Sequence, residues 1–219
     1  AELDPSYGFH FERRRRALWR QGLSAAAFED MALAVRRESR FRWAEGGKPA
    51  DLARAEAELT ARLAAAPGDA DARAWRGETR LAAGDHEGAG ADLAAVIKER
   101  PLSPWPRAWR AELLLASGDA AGALDEAEAA ISGDPGYARA WGAKARALAA
   151  LGRGRAALAA LDRVTELDFG AAWAYCERGR LRLSTGRRNA AGADLRRALA
   201  LDRGMDEARR LLAELEGGA

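Results

Sequence analysis

Histidine, cysteine and lysine are scarce in this chain, and each scarcity closes off a kind of chemistry. The one cysteine, Cys176, excludes an intramolecular disulfide and a multi-cysteine metal site. A single thiol is compatible with a reducing compartment. The two histidines, His10 and His86, have no partner at metal-site or triad spacing. No apolar run approaches the ~18 residues needed to cross a bilayer. The opening AELDPSYGFH has neither the basic start nor the apolar core of a secretory signal, so a cytoplasmic location is expected. Charge of one sign is also lacking, because 35 Lys+Arg face 33 Asp+Glu, a net +2. Up to Lys48 ten basic residues meet seven acidic ones, and beyond it 25 meet 26. A dedicated nucleic-acid binder shows a stronger, segregated positive field, so this balance argues against a nucleic-acid partner. Lysine supplies only three of the 35 cations, which together with abundant alanine reads as compositional bias. Sustained alternation with β-branched residues is absent, and with it any credible strand.

What the chain does have is a period. Gly84, Gly118, Gly152 and Gly186 are each 34 residues apart, and Pro67, Pro101 and Pro135 keep the same interval, with Phe169 at the next place. Units can be written from residues 70, 104, 138 and 172. Each first half, as in PRAWRAELLLASGD, is rich in Ala, Arg, Leu and Glu and stops at a glycine able to take the left-handed conformation that closes a helix. Each second half, as in AGALDEAEAAISGDP, has apolar residues at helical spacing, such as Ala123, Ala127, Ala130 and Ile131. It ends at or before a proline, which cannot continue a helix. Small residues recur at Gly77, Ala111, Ala145 and Gly179, and again at Ala89, Ala123, Ala157 and Ala191. Two helices packed closely need such positions. The reading is an all-α array of helix pairs.

This combination of period, small residues, turn glycine and closing proline resembles the tetratricopeptide repeat family, over four consecutive units spanning 70–203. The resemblance implies a right-handed superhelical solenoid of antiparallel helix pairs whose contacts run mostly between neighbours. Residues 204–219 hold GMDEARRLLAELEGG, which is similar to the amphipathic helix that caps such arrays. Residues 1–69 fit less regularly. One near-full unit is expected over 8–41 and a shortened one up to 69, because Gly22 to Gly84 is 62 residues, six short of two periods. DLARAEAELTARLAAAPGD, 51–69, makes a good second helix. Its partner must come from 36–50, either as a truncated helix or as an extension of the preceding helix to about Glu45. Leu3-Asp4-Pro5 reads like the tail of a preceding unit, and no initiator Met precedes it, so the chain is expected to be part of a longer protein.

Catalytic candidates do not assemble. Cys176 lies mid-helix with no base to activate its thiol, the glycines occupy turn and packing positions, and the abundant carboxylates fall on a charged surface. The chain reads as a non-enzyme with no metal and no cofactor. The arginine run in FERRRRALWRQG is spread around a helix by the turn of about 100° per residue. Arg13, Arg16 and Arg20 are the candidates for a basic patch there, while the plainer reading, a solvated and partly packed helix rich in arginine, is the one the spread favours. The tryptophans offer more. The resemblance implies that the first helices line a concave groove for extended peptides or partner helices. By register, Trp105, Glu78, Glu112, Arg146, Arg180 and Trp173 project toward that groove, with Trp75 and Trp109 at its edge. Tryptophan and arginine are enriched at binding hot spots. The competing readings are packing for the tryptophans, above all Trp141, and a ladder of neutralising charges for Glu112 and Arg146. A subset of the family clamps a C-terminal carboxylate with lysines and asparagines. Here the groove positions hold Trp, Glu and Arg, and the one asparagine, Asn189, falls in a turn.

The expected function is a scaffold that binds a protein or peptide. The alternative is an accessory recognition or assembly region of a larger enzyme. Weak self-association through the N-terminal end, by Phe9, Phe11 and Leu18, is a further expectation.

Overall fold

A computed structural model of the chain describes residues 49–217. Among the described residues there are ten α-helices and no strand. The described residues fall into two compact units, divided between Leu113 and Leu114. The first contains α1 (Pro49–Ala65), α2 (Ala70–Ala83), α3 (His86–Glu99) and most of α4 (Pro104–Ala116). The second contains α5 (Ala120–Gly133), α6 (Ala138–Ala150), α7 (Gly154–Leu167), α8 (Ala172–Ser184), α9 (Arg188–Leu201) and α10 (Asp206–Gly217). None of these helices is long and apolar enough to cross a membrane. The unit expected at 8–41, residues 36–48 of the stretch expected to supply the shortened unit's first helix (36–50), the basic patch Arg13, Arg16 and Arg20, and the N-terminal face bearing Phe9, Phe11 and Leu18 lie outside the described residues.

The turn inside each pair is set by glycine. Gly84, Gly118, Gly152 and Gly186 have φ of 85°, 86°, 72° and 75°, and no other described residue type has positive φ. At Gly84 the next N–H, of Asp85, returns to the Arg80 carbonyl at 2.9 Å, and Gly84 itself donates to Leu81 at 3.2 Å. These bonds satisfy carbonyls that a helix end leaves open. Asp85 and Asp119 then cap the following helices by accepting the N–H of Gly88 and Gly122. Arg153 and Arg187 stand at the same place in the later pairs and make no side-chain cap. Between pairs, Asp134, Asp168 and Asp202 accept the N–H two residues on, from Gly136, Gly170 and Gly204 at 2.8, 2.9 and 2.8 Å. These are Asx turns, in which a short side chain imitates a backbone turn.

The small residues mark where helices touch. Ala89, Ala123, Ala157 and Ala191 are completely buried. A Cβ on Gly179 would sit 2.9 Å from Leu195 Cγ and 3.3 Å from the Ala191 carbonyl, so α8 approaches α9 more closely than an alanine there would allow without a shift. In the first unit the core gathers Leu52, Ala55, Leu59 and Leu63 of α1 with Trp75, Leu93, Val96 and Trp109. Burying each such leucine contributes roughly 1.5–3 kcal/mol. In the second unit α6 packs on α7 and α8 on α9, with Leu148, Leu161 and Val164 at one centre and Leu195, Ala208 and Leu211 at another. The last of these is covered by α10, which lays Ala208 and Leu211 on α9 while Arg209, Arg210 and Glu214 face outward.

Candidate functional site

In the first unit the structure corrects the expected groove. Trp75 is 4 % exposed and Trp109 1 %, and both belong to the core around Leu59 and Leu93 rather than to a groove edge. The cause is rotation. Each stands two residues past the place of Trp141 in its own unit, and two residues turn a helical side chain by about 200°. Arg62 of α1 covers the Trp75 ring at 5.9 Å and is itself held by Asp69 at 2.7 Å. Burial alone would raise the Asp69 pKa, but the Ala72 N–H and the Arg62 guanidinium outweigh it and hold the carboxyl below its ordinary value. Glu78 is also buried, at 4 % exposure, so it too leaves the expected lining. Trp105 is half-buried and meets Trp109 edge to face at 5.0 Å, and Glu112 is half-buried.

In the second unit two of the expected residues, Trp173 and Arg146, come into contact. Trp173, near the start of α8, is 38 % exposed and reaches across to α6. Its ring lies where a Cβ on Gly142 would fall, 2.5 Å from the ring tip, and the Arg146 guanidinium stands 5.7 Å from its centre. Glycine at 142 thus makes room for the indole, and Arg146 supplies a cation–π contact of about 0.5–1 kcal/mol at such an exposed position. Arg180 lies seven residues after Trp173 on the same face of α8, is exposed, and donates to Glu177. The arrangement is a partly exposed aromatic surface with the Arg146 guanidinium against its face.

Cys176 is buried and its pKa is pushed up to about 11 by burial, with Glu207 and Glu177 adding to the shift. Among the described residues no three His, Cys, Asp or Glu side chains come together as a metal site.

Two tetratricopeptide repeat family models match the chain, over residues 114–176 and 174–204. Residues 114–204 are tetratricopeptide repeats. Solved tetratricopeptide repeat structures share the fold of this chain. The thermophilic protein TTC0263 of Thermus thermophilus aligns over 94 % of this chain and 98 % of its own, with 19 % identity and a TM-score of 0.66. YrrB, described as a tetratricopeptide repeat protein with an unusual peptide-binding site, aligns over 73 % and 82 % with 20 % identity and a TM-score of 0.57. The first such domain of Spaghetti (RPAP3), bound to the HSP90 peptide SRMEEVD, covers 53 % of this chain and 92 % of its own, with 20 % identity and a TM-score of 0.52. No curated protein sequence gives a significant match.

Sequence reasoning passed over a charged device buried in these tetratricopeptide repeats. Asp92, 5 % exposed, accepts from Arg76 Nε and Nη2 at 2.8 and 2.7 Å and from Arg80 Nη1 at 2.9 Å. Asp194, 4 % exposed, accepts from Arg178 Nε and Nη2 at 3.0 and 2.7 Å and from Arg182 Nη1 at 2.7 Å. Arg178 also donates to Asp162 and Thr165. Burial lowers the Arg178 pKa, but these carboxylates outweigh it and the net shift is upward. The signal was present: an Arg four residues before another Arg, an Asp twelve residues later, and the triplet repeated three periods on. Its role is structural, since both arginines are committed to the carboxylate.

Proposed function

We propose that this chain is a non-catalytic module that binds a protein or peptide partner, and that in its second unit the contact is made by Trp173, Arg146 and Arg180. The observation that carries the reading is the exposed indole of Trp173, seated on Gly142 beside the Arg146 guanidinium. Large aromatic and arginine side chains held rigidly at a surface are the residues on which binding energy concentrates. A rigid indole also loses little conformational entropy when a ligand covers it. The tetratricopeptide repeat fold supports the same reading, because the Spaghetti domain of that fold carries a bound peptide. In the first unit only Trp105 and Glu112 remain as contributors, since Trp75, Glu78 and Trp109 are buried.

Affinity capture tests this directly. The wild-type chain and the double variant Arg146→Glu/Trp173→Ala are used as baits in the same lysate, with circular dichroism confirming equal helicity. Loss of specific partners from the double variant supports the assignment. Identical partner sets would remove these residues from the function.

A further inference from the structure

Position by position, the unit starting at 138 departs from those starting at 70 and 172. Asp92 and Asp194 hold two arginines each in the units starting at 70 and 172, and the equivalent residue here is Ala160. The two arginine positions become Lys144 and Leu148. Where the carboxylate would stand, the second unit has a cavity of about 370 Å³ walled by Leu124 and Glu128 of α5, Trp141, Lys144 and Leu148 of α6, and residues of α7 that include Ala160 and Arg163. That volume falls within the range of roughly 300–1,000 Å³ of small-ligand sites.

The electrostatics of this cavity are unbalanced. Lys144 Nζ lies 5.5 Å and the Arg163 guanidinium 5.8 Å from the centre of the same Trp141 ring, and Arg153 stands at the rim. Trp141 is fixed by its Nε1–H, which donates to the Pro135 carbonyl at 2.9 Å. The nearby anions are Glu128, which pairs with Lys144 at 2.9 Å, and Glu166, which pairs with Arg163 one turn along α7. Both carboxylates are more than half exposed, so each pair is solvent-screened and weak. Lys144 and Arg163 therefore converge on one indole without the buried carboxylate that Asp92 and Asp194 supply in the units starting at 70 and 172.

We propose that this cavity is a second docking site, distinct from the Trp173 face, and that it receives an aspartate or glutamate side chain of an acidic peptide segment from a partner protein. The incoming carboxylate takes the place that Asp92 and Asp194 fill within the chain, between Lys144 and Arg163. An apolar neighbour of that carboxylate packs on Leu124, Leu148 and the Trp141 face. The two sites use different faces of α6: Trp141, Lys144 and Leu148 follow one helical stripe, whereas Gly142 and Arg146 follow another.

The probe is a short peptide, acetyl-Gly-Leu-Glu-Leu-Gly-amide, with its glutamine analogue as the uncharged control and both ends blocked so that no terminal carboxylate takes part. Titrated into isotopically labelled chain, the glutamate peptide is expected to shift the amide signals of α6 and α7 saturably, and added salt is expected to weaken it. The glutamine analogue should bind at least about tenfold more weakly, the loss expected for one charge-assisted hydrogen bond. Ala160→Asp supplies the carboxylate from within and should abolish the shifts while leaving the thermal midpoint unchanged or raised. Lys144→Gln should weaken binding by a similar tenfold or so without filling the cavity. Equal binding of the two peptides, or no saturable shift in wild type, overturns the proposal. So do shifts that survive Ala160→Asp, or α6 and α7 signals that move with protein concentration alone, which would make a second copy the occupant. Because Trp173 and Arg146 are untouched throughout, failure here leaves the proposed function standing and is distinguishable from its failure.

Discussion

Replacing Asp194 by alanine is expected to destabilise the second unit by about 3 kcal/mol, although it removes only one short side chain. Asp194 is 4 % exposed and accepts three hydrogen bonds, two from Arg178 and one from Arg182, all between 2.7 and 3.0 Å. Removing it leaves two guanidinium groups, 13 % and 21 % exposed, facing each other in the interior. Breaking a buried pair from one side costs about 3–5 kcal/mol, because the remaining charge stays buried. The lower end applies here. Asp162 still accepts from Arg178 at 2.8 Å and lies 3.6 Å from Arg182, but at 48 % exposure it compensates only in part. The triple variant Arg178→Lys/Arg182→Leu/Asp194→Ala installs the residues that the unit at 138 carries as Lys144, Leu148 and Ala160. Its cost should stay within about 1 kcal/mol of wild type, since one cation leaves together with the carboxylate and the lysine that replaces Arg178 keeps Asp162 as its partner. Urea unfolding followed by far-ultraviolet circular dichroism reads both values. An Asp194→Ala variant within about 1 kcal/mol of wild type, or a triple variant as unstable as the single, would refute the reasoning.

Gly186→Ala places a Cβ on a residue with φ of 75° and should cost about 1–2 kcal/mol in the same unfolding assay, whereas no steric neighbour opposes it. A cost near zero would show that the turn relaxes freely. Cys176 has its folded pKa raised from 9.0 to about 11, so the unfolded chain ionises first as pH rises. The stability this contributes is fully present below pH 9 and is lost between pH 9 and about 11, a loss of about 2–3 kcal/mol that Cys176→Ala should remove. An identical pH profile for the two proteins in that window would contradict the burial of the thiol. Gly142→Ala should leave stability within about 1 kcal/mol of wild type, because a helix gains roughly that from alanine. It should nevertheless drive the Trp173 ring off α6, seen as a changed indole signal in solution spectra, and an unchanged signal would mean that the ring does not lie there.

The repeat and its turns were readable because they rest on backbone requirements. Gly84, Gly118, Gly152 and Gly186 need positive φ, and Ala89, Ala123, Ala157 and Ala191 need to be small, so the residue types announce the geometry. Burial of particular large side chains was less readable. Trp75 and Trp109 differ from Trp141 by two helical positions, and that offset carries them from a half-buried position into the core. Asp92 and Asp194 look like ordinary surface charges until the arginines four residues apart on the facing helix are seen to enclose them. The Trp173–Arg146 pair was legible as two positions in one register, while the contribution of Gly142, whose missing side chain seats the indole, required the structure.

The central claim is that this chain binds a peptide through Trp173 and Arg146. Selection of peptides from a random display library against the wild-type chain supplies ligands, and calorimetry then gives their affinities for wild type, Trp173→Ala and Arg146→Glu. The account predicts that each variant binds the selected peptides at least about tenfold more weakly, the loss of a hot-spot side chain, at unchanged helicity. Selected peptides that bind all three proteins with equal affinity would contradict it.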